Sequence, residues 1–591
     1  MPIVHRKLLS IAFSGKRSHQ NLGAMEGPLG ALFDAFEEGF PGTDLQLLSG
    51  LADGADQIVT TIFLRGERRM PGAVLPFSLL EYITTIHNKA AFQSLYDQCH
   101  YRLHLDGRHA GTALENNDQK EAYRQQARIL PRLCDVFLAT AEKEEEGLKG
   151  GTKEAILAAL VIGKPVILLN LNDLRFYFYN SMEEWLFSPP TPLTASEIVK
   201  KCSVLHQKDI LITPEAEPRD LFFRLRKWIW SRYESLFNKK TSVADPTATI
   251  KELDNTLFYK IEDERKKASE SSKYFMFQYR GGYLLNYCLA IAAIFIAVDS
   301  STVHLFKLEQ LFAEGQMTER SLLLLGLLKV GVILLIIRNT KKINSHQYNT
   351  RAIKFRYTAE RLRILSYFSL FGIFRIPKPL AGNHINTHLR DYQGEAMFRR
   401  IINEMIIHSR LCTEIGKEYI LNTVGFIKEH WLEGQLAYYE RDLKKMKKMD
   451  EKLVKFPEWL SKIVLAIVLA EILEILLPEA IHHHPVVALV LKWVLPVLIA
   501  ATILLPGIIT TINSMHFQTE AKRLAFRNEI MLHQMKKILA DLDAAIEKIG
   551  NRDGGSNLLS ILVILDEAAS LATDEVAEWT MIYEKRVFEP G

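Results

Sequence analysis

Three short segments bring together the residue types that hold a phosphate. Ser14-Gly15-Lys16-Arg17 closes one apolar run and Ser49-Gly50-Leu51-Ala52-Asp53-Gly54-Ala55-Asp56 closes a second; Gly150-Gly151-Thr152-Lys153-Glu154 follows a third. Glycine lets a backbone approach an anion closely. A helix starting just after it aims free N–H groups and the positive end of its dipole at the same point. Lys16 and Arg17 can then neutralise charge, the guanidinium with a two-pronged grip. Thr152 offers a hydroxyl that caps its helix or meets a ribose or phosphate oxygen. Asp53, Asp56 and Glu154 stand where they can accept from ribose hydroxyls. One such glycine is a tight turn and nothing more, but three on one sheet edge favour an anion site.

The elements that must position these residues are legible in the alternation of short apolar runs with longer amphipathic ones. Leu8–Phe13, Leu45–Leu48, Ala73–Pro76, Cys134–Ala139 and Pro165–Leu169 read as strands. Asn21–Glu38, Gly54–Arg65 and Thr152–Ile162 read as the helices between them, the last stopped at Gly163. Strands and helices alternating at this spacing predict a doubly wound parallel sheet, whose ligands sit beyond the carboxyl ends of the strands. All three glycine segments fall there.

The rest of the chain is of another kind. Four apolar spans, 281–298, 321–337, 459–477 and 486–512, each approach the roughly 20 residues that cross a bilayer. Basic residues gather on one side of them. Lys266, Lys267, Lys273 and Arg280 precede the first; Arg338, Lys341 and Lys342 follow the second. Lys444, Lys445, Lys447 and Lys448 precede the third, and Lys522 and Arg523 follow the fourth. That asymmetry predicts four spans with both termini in the cytoplasm. Within the spans, Lys329, Glu471, Glu474 and Lys492 line a pore, form buried structural Lys–Glu pairs, or snorkel near a span end. Each hairpin leads into a helix with a Glu-Arg pair, Glu360 with Arg363 and Glu520 with Arg523, a shift of 160 residues that suggests a duplicated unit. A helix is predicted over Pro218–Phe237. Its Trp228 and Trp230 are read as packing on the sheet domain rather than stacking on bases. A linker follows over Asn238–Thr247.

Bulk properties exclude several classes. A net charge of +4 over 591 residues gives no basic face for nucleic acid. The five cysteines contain no CxxC pair, so neither a zinc knuckle nor a disulfide framework is expected. His482-His483-His484 reads as a solvated loop rather than a metal site. The apolar run near the N-terminus is too short for a signal-peptide core.

Ser14-Gly15, the Ser49–Asp56 segment, Leu75-Pro76-Phe77 with Glu81-Tyr82, Cys134-Asp135, and Gly150–Glu154 with Gly163-Lys164-Pro165-Val166 resemble the SLOG superfamily. That Rossmann-like group is related to Smf/DprA proteins and LOG-type nucleotide phosphoribohydrolases. With Lys16 and Arg17 added for their charge, the resemblance implies a nucleotide pocket formed by Ser14, Gly15, Ser49, Gly50, Asp53, Gly54, Asp56, Phe77, Gly150, Gly151, Thr152 and Glu154. LOG enzymes use a glutamate in this last motif with an upstream arginine. Here Glu154 is kept, the motif spacing is shortened, and Arg124 and Arg128 match the arginine by position only. Binding without turnover is therefore the favoured reading, with no cofactor, and Glu154 is catalytic only if the protein is an enzyme. The membrane half is similar in layout to SLATT-type effectors of bacterial antiphage defence, although here the two-span unit occurs twice.

The sequence thus predicts a sheet domain over 1–180, an accessory segment over 181–250, and helical units over 251–400 and 401–591. Its expected partners are a nucleotide second messenger (a cyclic oligonucleotide or an ADP-ribose derivative), the lipid bilayer, further copies of the chain, and an enzyme that makes the signal. Membrane-anchored nucleotide hydrolysis and a metabolite-regulated channel remain as alternatives.

Overall fold

The computed structural model describes residues 7–108, 115–142, 151–187, 191–202, 221–237, 256–305, 315–374, 403, 407, 411–475, 485–551 and 557–583. Gly150, the segment 238–247 and the histidines at 482–484 lie outside them. Eight strands form one sheet: β1 (Lys7–Gly15), β2 (Thr43–Ser49), β3 (Arg69–Phe77), β4 (Tyr101–Gly107), β5 (Val136–Ala141), β6 (Val166–Asn170), β7 (Phe176–Tyr179) and β8 (Leu411–Glu414). Their order is β7-β6-β5-β1-β2-β3-β4-β8, parallel throughout except for the antiparallel edge strand β7.

Period-two alternation gives the sheet its two covered faces. On β1, Leu9, Ile11 and Phe13 pack with Leu29, Phe33 and Phe36 of α1 (Glu26–Gly39) and Val59 of α2 (Ala55–Phe63). Leu8 and Ala12 face the other way, in the same core as Ala127 of α5 (Glu115–Ile129) and Ile156 of α6 (Thr152–Val161). Helices α3 (Leu79–Thr84) and α4 (Lys89–Gln98) cover β3, and α7 (Met182–Phe187) packs near β7. Helix α8 (Ala195–Cys202) adds Ile198 and Val199 to the α1 side, so part of the segment predicted as accessory belongs to the sheet core. Beginning at β1 the chain builds outward to β4 and then returns to place β5 on β1's other edge. The strand order therefore reverses between β1 and β5, where Ser14 pairs with Ala139 and Gly15 with Thr140.

The remaining helices are long. They are α9 (Leu221–Phe237), α10 (Thr256–Leu305), α11 (Gly315–Ser345), α12 (Tyr348–Ser369), α13 (Lys417–Ile427), α14 (Gly434–Ile475), α15 (Pro485–Thr519), α16 (Ala521–Gly550) and α17 (Leu558–Tyr583). Three stretches are long and apolar enough to cross a membrane: 257–298 on α10, 323–369 on α11 and α12, and 497–550 on α15 and α16. Leu323, Leu324, Leu327 and Leu328 are exposed on α11, as are Val497 and Ile503 on α15, a surface that suits lipid and not water. These helices point to a membrane-associated protein. Helix α14 is not a fourth span among the described residues. Glu458, Lys462 and Glu471 interrupt its apolar run, and residues 476–484 are not described.

The predicted repeat also changes form. Arg363 does pair with Glu360 at 2.8 Å and Arg523 with Glu520 at 3.6 Å. But Glu360 lies inside α12, whereas Glu520 is the left-handed residue (φ 48°) that separates α15 from α16. Its counterpart in position is Gln347 (φ 50°), between α11 and α12. What the two halves share is thus a span, a left-handed break and a second helix.

Sheet and helices share one core. β8 comes from the C-terminal half of the chain and pairs with β4 from Tyr101–Leu411 to His104–Glu414. Tyr101 donates to the Gly372 carbonyl at 2.6 Å. Leu103, Phe371, Ile415, Leu558 and Ile561 are buried in the same cluster, each such side chain contributing roughly 1.5–3 kcal/mol on burial. A boundary at residue 180 is clean in sequence but not in space.

Candidate functional site

The strand order reverses between β1 and β5, and the position beyond their carboxyl ends is the usual ligand crevice of a doubly wound sheet. Four elements meet there. The end of β1 supplies Ser14, Gly15 and the following Lys16 and Arg17. The β2–α2 turn supplies Ser49–Asp56. The start of α6 supplies Gly151, Thr152 and Glu154, and α5 supplies Tyr123, Arg124, Gln126 and Arg128.

Close approach explains the glycines. Gly54 has φ +91°, and a Cβ there would lie 2.0 Å from the Arg17 carbonyl oxygen. Only glycine allows the β1 and β2 loops to touch, and that contact lets Ala55 N–H donate to the Lys16 carbonyl at 3.0 Å. A Cβ on Gly15 would meet Thr140 Oγ1 at 2.4 Å, and one on Gly50 would meet Gln126 Nε2 at 2.7 Å. Ser14 Oγ donates to Thr152 Oγ1 at 3.2 Å, joining β1 to the first turn of α6. Gly151 is the residue before that helix, so Thr152 is its first residue and not its cap.

Charge is concentrated on the α5 side. Arg124 Nε and Arg128 Nε both donate to Glu154 Oε1, at 2.9 and 2.8 Å. Residues four apart share a helix face, so α5 presents both guanidinium groups to one carboxylate of α6. The Glu154 carboxylate also raises the Arg124 pKa above its usual value. Arg17 donates to the Tyr123 hydroxyl at 2.9 Å and lies over its ring at 5.1 Å. Lys16 Nζ and His19 Nε2 sit 3.4 and 3.1 Å from Glu142 Oε1. The hydrogen bond from Lys16 holds the Glu142 carboxyl below its ordinary value.

Several predicted site residues face inward. Asp56 is buried, and its Oδ2 accepts from Gly50 N–H at 3.1 Å. Burial pushes its carboxyl up to about 7, against the lowering effect of the Ala52, Gly15 and Gly50 amides and of Arg17. This carboxylate occupies the backbone donors that the sequence reading offered to a phosphate, and it is not placed to meet a ribose. Asp53 accepts from the His87 and Asn88 amides at 2.8 and 3.2 Å. Burial raises its pKa, but those donors outweigh burial and hold the group below the usual carboxylate value. Ser49 Oγ lies 3.3 Å from Thr60 Oγ1 and accepts from Leu51 N–H. Phe77 is fully buried, edge-on to Tyr123 with ring centroids 5.4 Å apart, so it supports the site from below. Thr140 Oγ1 is buried with no hydrogen-bond partner among the described residues, directly against Gly15.

Tyr123, Gln126, Thr140, His19 and Glu142 had no part in the sequence reading. The spacing of Arg124 and Arg128 was the available signal for α5, and Tyr123 stands beside it. Lys329 on α11 and Glu471 on α14 form no ion pair with each other among the described residues, and Glu471 Oε1 is buried without a hydrogen-bond partner there. The side chains of Glu474 and Lys492 lie outside the described residues. No group of three or more metal-ligating side chains occurs among the described residues.

The site is continuous with the helical half. Gln125 of α5 donates to Asp106 Oδ1 at 2.6 Å, and Asp106 Oδ2 accepts from Asn557 N–H at 2.7 Å, just before α17. Arg132 pairs with Asp566 further along α17. Still further along, Glu575 is buried. Its Oε1 accepts from Arg356 of α12 and Arg527 of α16, each at 3.1 Å, and its Oε2 accepts from the Tyr439 hydroxyl of α14 at 2.7 Å. One helix therefore touches α5 at one end and α12, α14 and α16 at the other. The chain matches no protein-family model and no curated protein.

Proposed function

We propose that this protein is a membrane effector: a nucleotide-derived signal binds the β1–β5 crevice and changes the state of the membrane-crossing helices. The observation that carries this reading is α17, whose contacts run from Asp106 and Arg132 in the sheet domain to the Glu575 junction of α12, α14 and α16. Lys16, Arg17, Arg124 and Arg128 supply positive charge, and Ser14, Thr152 and Thr140 supply hydroxyls, a set suited to phosphate and ribose oxygens. A cyclic oligonucleotide or an ADP-ribose derivative, made by a partner enzyme, carries both groups. The resemblance to SLOG and SLATT modules and the three apolar stretches support a multi-pass, oligomeric protein of a bacterial inner membrane with cytoplasmic termini. The outcome there is pore opening or lipid disruption in antiphage defence.

Such coupling has a thermodynamic requirement. The ligand must bind the open state better than the closed one. Moving the population from about 1% to 99% open takes roughly a 10⁴-fold difference in affinity. Arg124 and Arg128 are the side chains able to provide it, since an incoming phosphate competes with Glu154 for them. Mass spectrometry of small molecules co-purifying with the full chain tests this. A nucleotide recovered from wild type and lost from Arg17→Gln supports it; recovery of none, or equal recovery from both, overturns it.

A second reading, a nucleotide phosphoribohydrolase, is favoured by the grip of two arginines on Glu154. An ionised carboxylate in that place can stabilise oxocarbenium-like charge. Release of free base from nucleoside monophosphates by the full chain, abolished in Glu154→Ala, would establish it and displace the effector reading.

A further inference from the structure

The helix predicted to lie on the sheet domain does something else. α9 packs on α10, with Phe223 against Tyr274 and Phe277 at ring separations of 6.0 and 5.7 Å. Its fully buried Arg226 donates to Asn339 Oδ1 at 3.0 and 2.7 Å and to Gln278 Oε1 at 2.9 Å, and lies over the Tyr348 ring. Asn339 in turn donates to the Gly282 carbonyl and to Asn286 Oδ1, at 3.0 and 2.7 Å. The crossing is so close that a Cβ on Gly281 would stand 2.8 Å from the Arg226 carbonyl oxygen.

These contacts fix the height of α9. Gly281 begins the apolar run of α10, and Asn339 lies two residues beyond Ile337, where the apolar run of α11 ends. α9 therefore sits at the level where both runs give way to polar sequence. Its outer face carries Leu225 (38% exposed) and Trp228 (61% exposed), one helical turn apart. Arg224, Lys227 and Arg232 beside them are also exposed. Arg338, which stacks over Phe222, and Arg280, over Trp230, add charge at the same level. Tryptophan with flanking lysine and arginine is the composition favoured at a membrane–water interface.

We propose that α9 is an interfacial helix whose outer face seats on the anionic lipid headgroups of the adjacent leaflet, pinned to the spans through Arg226. The occupant is lipid because the face lies at the end of the α11 apolar run, where Leu334 and Ile337 are exposed, and carries three positive charges. This inference concerns the bilayer and does not depend on what the crevice binds.

The test uses the full chain in vesicles of phosphatidylcholine alone or mixed with phosphatidylglycerol, with bromine near the headgroup of one lipid at a time. The Trp228 signal is the emission of wild type minus that of Trp228→Phe. The expected result is that this signal at least halves, and at a lower fraction of brominated phosphatidylglycerol than of brominated phosphatidylcholine. Each exposed cation contributes on the order of a fivefold preference near an anionic surface. Lys227→Gln should therefore raise the phosphatidylglycerol fraction needed for half-quenching about fivefold, and the Arg224, Lys227 and Arg232→Gln triple variant should show no preference. If the triple variant fails to insert, Lys227→Gln alone decides. A signal unquenched in both lipids means that protein or water covers the face, and equal quenching means that headgroup charge is not read. Either result overturns the proposal.

Discussion

Replacing Glu575 with glutamine should loosen the membrane-proximal helices from the sheet domain. The side chain is nearly the same size, so packing is kept while one negative charge goes. In the native state that charge is shared by Arg356, Arg527 and the Tyr439 hydroxyl, and the Glu575 side chain is only 6% exposed. Breaking a buried pair typically costs about 3–5 kcal/mol because the partner's charge remains. Arg356 and Arg527 keep 27% and 17% of their side-chain surface exposed, so solvent screens part of the loss and about 2–3 kcal/mol is the better figure. The readout is amide hydrogen exchange of the full chain in detergent, since a single unfolding free energy has no clear meaning for a chain of several cooperative units. Protection across α17, and where α12 and α16 face it, should fall roughly 30- to 150-fold, each tenfold corresponding to about 1.4 kcal/mol. Protection in β1, β2 and α1 should hold. A change below about threefold in α17, or a loss that begins in the sheet, would refute the claim that Glu575 joins these elements.

Two further substitutions probe the crevice. Gly54→Ala forces a Cβ into the Arg17 carbonyl at positive φ, and should cost at least ~3 kcal/mol in the sheet domain. Gly23→Ala, with open space around it, should be near neutral; similar melting shifts for both would contradict the close-approach argument. Asp56→Asn should change the pH dependence of stability. The folded carboxyl titrates at about 7 against roughly 3.9 in the unfolded chain. Its contribution is therefore complete below about pH 4 and is lost as pH rises through about 7. That difference corresponds to at most ~4 kcal/mol. Wild type should thus lose stability relative to Asp56→Asn between about pH 4 and pH 7, and parallel melting curves across that range would show that Asp56 is not held protonated.

Local patterns carried much of this architecture. Continuous apolar runs announce β1, β2, β5 and β6 because strands buried on both faces need no polar residue, and the spans of α10 and α11 declare themselves for the same reason. β4 was missed although Tyr101, Leu103 and Leu105 alternate correctly, because Arg102 and His104 between them look like loop residues. In the fold Arg102 stacks on Tyr96 and His104 meets the Tyr96 hydroxyl at 2.8 Å. β8 has four residues and no local signal; it is a strand because β4 offers it an edge. The contact of the β1 and β2 loops was legible where backbone geometry demanded glycine. The inward turn of Asp56, onto the Gly50 amide, and of Phe77, onto Tyr123, was not, because neither leaves a mark in residue spacing. The Glu575 junction draws on residues 356, 439 and 527, a grouping no spacing rule reaches.

The most direct measurement is dye efflux from liposomes containing the full chain, recorded across a panel of cyclic oligonucleotides and ADP-ribose derivatives. The account predicts that one nucleotide class raises efflux, that Arg17→Gln abolishes the response, and that Glu575→Gln blunts it without preventing insertion. Efflux indifferent to every nucleotide, or a response that survives in Arg17→Gln, would contradict it.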